Sequence, residues 1–475
     1  MPDSEKTESA AAPVRKTDAA SRLGTEPVGR LLLRFSLPAV TGMLVNALYN
    51  VVDRIYVGQG VDLIALGGLS LVMPLMTISM SLAMLFGIGS ANMISMRLGQ
   101  QRHEEARNAL DHCLIMLAVS GILLMAAGLI FLEPILSVLG AEADSKALDY
   151  ARRYFRIILY GTPLFMVGFG LSHCTRAQGF PAITMISMIL GAGINIILDP
   201  IFIFVFRLGV EGAAWATIIS QAASMIWIVS FNLGSRPVVK INLKEFKFNP
   251  HICSQIMAFG SSACLLQLIM SVVQLLYNKS MGWYGASALG VENGGDIALS
   301  GMNIVGSISM LIMMPIFGIN QGAQPILGYN YGAKNYRRVF RTWFLAVLAS
   351  SVVCVIGFTV GELFPLVLVR AFTPNNSEAL LNFAPWAMRV MFIFLPTAGF
   401  QIVSTNFFAV TGRPRVSIFL TLLRQFIVLI PCMIIFGRIW GLWGVVAAAP
   451  VADGFALLLT GTMISLEIRK LLASR

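Results

Sequence analysis

Apolar residues run along this chain in stretches of roughly 20 to 30, separated by short blocks that hold most of its charge. A helix of that length spans a hydrocarbon core of about 30 Å, whereas a strand of a transmembrane barrel needs only about ten alternating residues. The pattern therefore predicts twelve helices, at 31–58, 63–97, 107–132, 148–176, 182–206, 211–233, 255–281, 296–327, 339–364, 380–410, 415–437 and 441–466. The second, eighth and tenth runs are well over 25 residues long, so those helices are expected to tilt or to project past the bilayer.

Hydrophobic residues fill 57% of the 475 positions and charged residues 12%, about half of the roughly 25% usual in a soluble domain. The net charge of +11 does not point to nucleic acid, because the basic residues collect in alternate loops. One set of loops holds Arg102 and Arg107, then Arg236, Lys240, Lys244 and Lys247, then Lys334, Arg337, Arg338 and Arg341, and finally Arg469, Lys470 and Arg475. The opposite set is sparse or acidic, with Asp62, Glu142, Asp144, Glu211, Glu292 and Asp296; Arg152 and Arg153 are its main exceptions. The alternation follows the positive-inside rule and places both termini in the cytoplasm. Residues 1–30, rich in Ala, Ser, Thr and charge, read as a disordered cytoplasmic tail without a signal peptide, and 467–475 as a second tail. The six cysteines are scattered without metal-ligand spacing and read as packed thiols.

The two halves repeat. At an offset of 233, Arg156, Pro163, Gly179 and Pro181 fall on Arg389, Pro396, Gly412 and Pro414, and Gly99 falls on Gly332. One residue shorter, Gly209 and Gly212 fall on Gly441 and Gly444. Each half holds six helices, an even number, so both insert the same way round. The expected fold is an all-α polytopic membrane protein with two six-helix lobes, 31–233 and 255–466, joined by a basic cytoplasmic linker, 234–254. The lobes should be related by a pseudo-two-fold axis along the membrane normal. Such a fold favours a site between the lobes and alternating access by rocking; the plainer alternative is a duplicated scaffold that transports nothing.

An ionisable group at the centre of a membrane helix costs roughly 2.5–3.5 kcal/mol on insertion scales, so each one is a candidate for function. The first helix carries Asn46, Tyr49, Asn50 and Asp53 on one face, and the seventh, its repeat mate, carries Gln267, Ser271, Gln274 and Asn278 at similar spacing. Asn46, Asn50, Gln267 and Gln274 are candidates to line a shared central cavity, unless the stripes serve interhelical hydrogen bonding alone. Counted from the outer ends of their helices, Asp53, Asp199 and Thr217 lie roughly 7–11 Å deep at about 1.5 Å per residue. Asn195 is one turn deeper, on the face of Asp199. Two carboxylates, an amide and a hydroxyl near one level suit Na⁺ or a shared proton; the alternative is an ion pair with Arg54 or Arg156. Arg424 and Asp453 lie at matching heights on the adjacent eleventh and twelfth helices and are expected to form a structural ion pair. His103, His112, His173 and His251 show no metal pairing. Neither a phosphate-binding loop nor a nucleophile elbow is present, which argues against an enzyme or an ATP-driven pump.

Four stretches carry a family resemblance: NVVDRIYVG at 50–58, INIILDPIFIF at 194–204, LGVEGAAWAT at 208–217 and GINQGAQPILGYNYGAKN at 318–335. They resemble the MATE (multidrug and toxic compound extrusion) family, in its MepA-like bacterial branch, over essentially the whole chain. The resemblance implies a multi-pass antiporter of the bacterial inner membrane. Such a protein would export small amphipathic organic cations in exchange for inward Na⁺ or H⁺, with no other cofactor, as a monomer. It also implies that Asp53, Asn195, Asp199 and Thr217 form the ion site of the first lobe. Some members carry acids in the seventh and tenth helices; here Gln267, Met270 and Phe400 stand in those regions, so coupling is expected to rest on the first lobe. The rival reading is a lipid-linked-precursor flippase of the same superfamily, which usually has more spans and a strongly cationic cavity.

Overall fold

The computed structural model describes residues 18–60, 63–138, 146–291, 293–372 and 378–473, and every regular element among them is helical. A short α1 (Asp18–Thr25) precedes α2 (Val28–Gly60), α3 (Leu63–Gly99), α4 (His103–Ile130) and the short α5 (Leu132–Val138). Next come α6 (Lys146–Ala177), α7 (Pro181–Pro200) with a π turn (Ile201–Val205), and α8 (Val210–Leu233). The second half runs through α9 (Pro250–Ala288), α10 (Gly294–Gly332), α11 (Tyr336–Leu363), the short α12 (Pro365–Phe372), α13 (Glu378–Phe392) and α14 (Leu395–Val410). It closes with α15 (Pro414–Leu422), a second π turn (Leu423–Leu429) and α16 (Ile430–Ala473), which is broken at Gly441. Among the described residues eleven helical stretches are long and apolar enough to cross a membrane, and the bent pair α13–α14, taken as one span, makes a twelfth, as the hydrophobic runs predict.

That bent pair is the departure from twelve continuous helices: the expected tenth, 380–410, turns by 46° between α13 and α14. Pro396 explains it, because a proline has no N–H for the carbonyl one turn back and is well accommodated in the first turn of a new helix. Its repeat mate Pro163 lies inside the unbroken α6.

The repeat extends to the backbone. Gly209 and Gly441 share φ 59° with ψ −135° and −137°. Gly179 and Gly412 have φ 100° and 79°, and Gln101 and Lys334, two residues past the paired Gly99 and Gly332, have φ 61° and 57°. Equivalent turns leave the membrane helices in equivalent ways.

One apolar core, running from Leu31, Leu98 and Leu110 to Ile326, Phe407 and Leu420, joins both halves at the end that holds the chain's first and last helical segments. Toward the other end it divides. Leu136, Phe155 and Ile218 belong to a core of the first lobe, and Phe383, Met388 and Val446 to a core of the second. Across the seam α2 packs on α10 and α3 on α9, contacts that the pseudo-two-fold exchanges. Glycine makes this approach possible. Gly99 lies against the Tyr329 carbonyl and its mate Gly332 against that of Met96, so a Cβ on either would strike backbone. The lobes are thus sealed at one end and parted at the other.

Three expected boundaries move. Residues 18–30 are not a disordered tail: Ala20 and Leu23, three apart on one face of α1, are buried in the shared core. Asn330 Nδ2 donates to the Leu23 carbonyl at 2.9 Å, and Arg338 from α11 donates to the carbonyls of Leu23 (3.2 Å) and Glu26 (2.6 Å). The segment straps the second lobe to the first. The linker ends at Asn249, which caps α9, and it is fixed to α4. There the Asn242 N–H donates to Asp111 Oδ1 at 3.0 Å and the Asn249 N–H to His112 Nε2 at 2.9 Å. The expected C-terminal tail is helical through Ala473, with Glu467 buried against Arg413. At the parted end the exceptional bases are matched locally: Arg152 by Glu133 at 2.7 Å and Arg153 by Asp149 at 2.9 Å. Residues 1–17, Asp62, Glu142, Asp144 and Glu292 lie outside the described residues.

Candidate functional site

Asp53 on α2, Asn195 and Asp199 on α7, and Thr217 on α8 come together in the first lobe, as their depths predict. Asn195 Nδ2 donates to Asp199 Oδ1 at 3.4 Å, one turn along the same helix. The Asp53 carboxyl lies within hydrogen-bonding reach of Asp199, and no basic side chain pairs with Asp199 among the described residues. Asn195 and Asp199 are buried, at 1% and 0% exposure, while Asp53 is half-buried. Two buried oxygens, Asp199 Oδ2 and Asn195 Oδ1, receive no donor among the described residues. An ionised carboxylate only accepts hydrogen bonds, so a proton between the acids or a cation among the oxygens would complete the arrangement. Pro200 follows Asp199 directly and lacks an N–H, and the helix passes there into the π turn, a local widening common at functional sites.

Thr217 takes part differently from its neighbours. Its hydroxyl donates to the Ala213 carbonyl at 2.9 Å and lies within hydrogen-bonding reach of Tyr49 and Tyr154, so it ties two tyrosines into the cluster. Tyr154, buried on α6, is the member that sequence reasoning missed. It lies about 9 Å along the expected fourth helix from its start at 148, at about 1.5 Å per residue, so the depth arithmetic used for the acids would have found it. Of the two arginines proposed to pair with the acids, Arg156 is exposed, and the side chain of Arg54 lies outside the described residues.

The second lobe treats its charge in another way. Arg424 Nε donates to Asp453 Oδ1 at 2.6 Å, and Gln401 Nε2 from α14 donates to the Asp453 carbonyl at 2.9 Å. Side-chain exposures of 36% and 16% leave the pair only partly shielded. Arg424 lies in the second π turn, ahead of Pro431. Next to Arg424 and Gln401 in the chain, Gln425 Nε2 contacts Met270 Sδ at 3.2 Å, and Phe400 meets Trp343 edge-on with centroids 6.2 Å apart.

The two polar stripes are largely open. Asn46 and Gln274 are exposed, Gln267 is half-buried, and Gln274 Nε2 donates to Asn278 Oδ1 along its own helix at 2.9 Å. The side chain of Asn50 lies outside the described residues. The seam partners of the two stripe-bearing helices, α2 and α9, are α10 and α3.

Comparison with known proteins agrees with this architecture. A family model described as MatE matches twice, over residues 38–201 and 262–435, once in each lobe. The multidrug export protein MepA of Staphylococcus aureus (strain MRSA252) is 28% identical over 435 residues, covering 91% of this chain and 92% of the relative. The protein of the same name from Staphylococcus haemolyticus (strain JCSC1435) is 26% identical over 424 residues, covering 89% and 90%. A solved multidrug resistance MATE transporter of the MOP superfamily, in an outward-facing conformation, superposes with a TM-score of 0.87 at 25% identity, covering 95% of this chain and 98% of that one. Helix count, internal repeat and a family model matched in both lobes lead to one assignment: the chain belongs to the MatE family of membrane transporters.

Proposed function

We propose that the protein is a multidrug efflux antiporter, moving organic cations out of a bacterial cell in exchange for inward H⁺ or Na⁺. The observation that carries this reading is the acid pair of the first lobe: two carboxyls within hydrogen-bonding reach, with no base on Asp199 and two buried oxygens lacking a donor among the described residues. Its relatives' designation as multidrug export proteins supports the cargo class. Under the positive-inside rule the sealed end, with its basic loops and both termini, is cytoplasmic, so this conformation faces outward.

An ion entering from outside meets half-buried Asp53 and is held with Asp199 and Asn195, while Thr217 and the two tyrosines keep α2, α6 and α8 in register. Contact between two carboxyls favours the proton, since a hydrogen bond between acids contains one. Occupancy relieves the repulsion between the acids and so favours one arrangement of the lobes, and only such a difference in affinity can drive the cycle. The drug sits between the stripes at Asn46, Asn50, Gln267 and Gln274, and the Arg424–Asp453 pair holds the second lobe together.

Dye efflux from vesicles under separately imposed pH and Na⁺ gradients tests the proposal. A pH gradient alone should drive export of a cationic dye, and Asp53→Asn should abolish it while leaving the protein folded. Full gradient-driven efflux by a well-folded Asp53→Asn variant would overturn the mechanism, and efflux driven by Na⁺ alone would reassign the ion.

A further inference from the structure

We infer that the second lobe carries a site for one anionic phospholipid, in the groove between α11, α14 and α16 on the leaflet of the sealed end. The site is separate from the transport cluster. An open groove of about 650 Å³ runs there, lined by Val347 and Ser351 of α11, Pro396 and Phe400 of α14, and Leu458 and Thr462 of α16. It lies beside the start of α14, just past the 46° bend that follows α13.

The walls continue beyond the groove as two stripes. On α11 the sequence Arg337, Phe340, Phe344, Val347, Ser351 advances by alternate threes and fours, which keeps these side chains on one face. On α16 the stripe is Leu458, Thr462, Ser465, Arg469. Both stripes end at the sealed end in an exposed arginine that has no ion pair among the described residues. From Arg337 to Ser351 is about 21 Å and from Leu458 to Arg469 about 17 Å, at about 1.5 Å per residue. That length matches one leaflet, half of a core of about 30 Å, with the headgroup region beyond it. Three of the wall hydroxyls are already used: Thr462 Oγ1 donates to the Leu458 carbonyl at 2.8 Å, Ser465 Oγ to that of Gly461 at 2.7 Å and Thr397 Oγ1 to that of Phe394 at 2.8 Å. Apart from the Ser351 hydroxyl, the groove therefore offers an acyl chain an apolar surface.

Charge selects the headgroup. The acid on this stretch of α16, Glu467, is buried and paired with Arg413, so it does not offset the rim. Two guanidinium groups suit a phosphodiester, which they hold by charge-assisted hydrogen bonds, and they repel a cationic drug. Pseudo-symmetry does not copy the rim, because the repeat mate of Arg337 in the first lobe is Glu104.

The test uses the full-length protein in detergent, offered equal phosphatidylglycerol and phosphatidylcholine with identical acyl chains, and counts retained lipids by native mass spectrometry. The wild type should keep one phosphatidylglycerol with roughly tenfold preference. Arg337→Gln with Arg469→Gln should lose the preference. Gly461→Leu should lose retained lipid of both kinds, since a Cβ there meets open space on the groove wall. Lys244→Gln with Lys247→Gln, exposed on the linker at the same end, should behave as wild type. Equal retention of the two lipids by the wild type overturns the site, as does an undiminished preference in the arginine variant. Loss of preference in the linker variant overturns it too, by showing a general effect of basic surface.

Discussion

The two lobes are built on one backbone plan and differ in how they hold charge inside the membrane. In the first, Asp53 and Asp199 lie together and no base pairs with Asp199 among the described residues; in the second, Asp453 has Arg424 at 2.6 Å. Both sites sit beside a π turn next to a proline, Pro200 in one lobe and Pro431 in the other. A shared backbone thus supports two opposite electrostatic solutions. A paired charge is complete as it stands, and a pair of acids is not. Under the proposed function ion coupling belongs to the first lobe and cohesion to the second, and the contrast can be tested by neutralising the same residue type in each.

Asp199→Asn carries the largest expected effect. It should reduce gradient-driven dye efflux to background, while at pH 8 the protein should gain about 1–3 kcal/mol of stability, because a buried acid without a base becomes a neutral amide. Efflux and thermal stability measured on one preparation decide the matter, and retained efflux would remove the contrast between the lobes. Arg424→Ala should move stability the other way. It leaves Asp453 without its partner and should cost about 3 kcal/mol, toward the low end for buried pairs because this one is partly exposed. The double variant with Asp453→Ala should recover part of that loss, and efflux per folded molecule should hold. Loss of coupling in a normally stable Asp453→Ala protein would make the second lobe a transport site as well.

Much of this contrast was legible in the sequence, and the reasons are specific. Twelve hydrophobic runs gave the spans because bilayer thickness fixes helix length. Counting residues from helix ends brought Asp53, Asp199 and Thr217 to one level, and Arg424 and Asp453 to another, because helical rise is constant. Tyr154 escaped because a tyrosine reads as an ordinary core residue until its hydroxyl is traced to Thr217. The bend at Pro396 was not readable, since its mate Pro163 sits in an uninterrupted helix. The α1 strap was hidden by composition: Ala20 and Leu23 are too few to mark an amphipathic helix, and their burial depends on Tyr329, Asn330 and Arg338, some three hundred residues on.

That strap sharpens a second contrast, between the sealed and parted ends. Arg338→Gln removes the charged donor to the Leu23 and Glu26 carbonyls, so the sealed end should weaken by about 1.5–3 kcal/mol. Probes on Arg102 and Lys334, which flank the seam from either lobe, should report a larger share of separated ends. An unchanged distance distribution would show that the glycine contacts alone hold the seal.

The smallest effect is expected at the parted end, where Glu133 accepts two hydrogen bonds from Arg152, at 2.7 and 2.9 Å. This pair has much the same chemistry as Arg424 with Asp453 but lies in solvent, where such bridges contribute little. The hydrogen bonds from Arg152 hold the Glu133 carboxyl below the usual carboxylate range. A lowered folded-state value means that any stabilisation is present above the unfolded value of about 4.3 and is lost only as pH falls through the folded one. Between pH 6 and 8 the pair is therefore fully charged and gives no slope. Glu133→Gln should leave melting temperature and the pH profile of efflux unmoved across that window, whereas Asp199→Asn should abolish the profile. If Glu133→Gln shifted the profile instead, the pH response would belong to the mouth of the lobe, and the buried acids would no longer be needed to explain it.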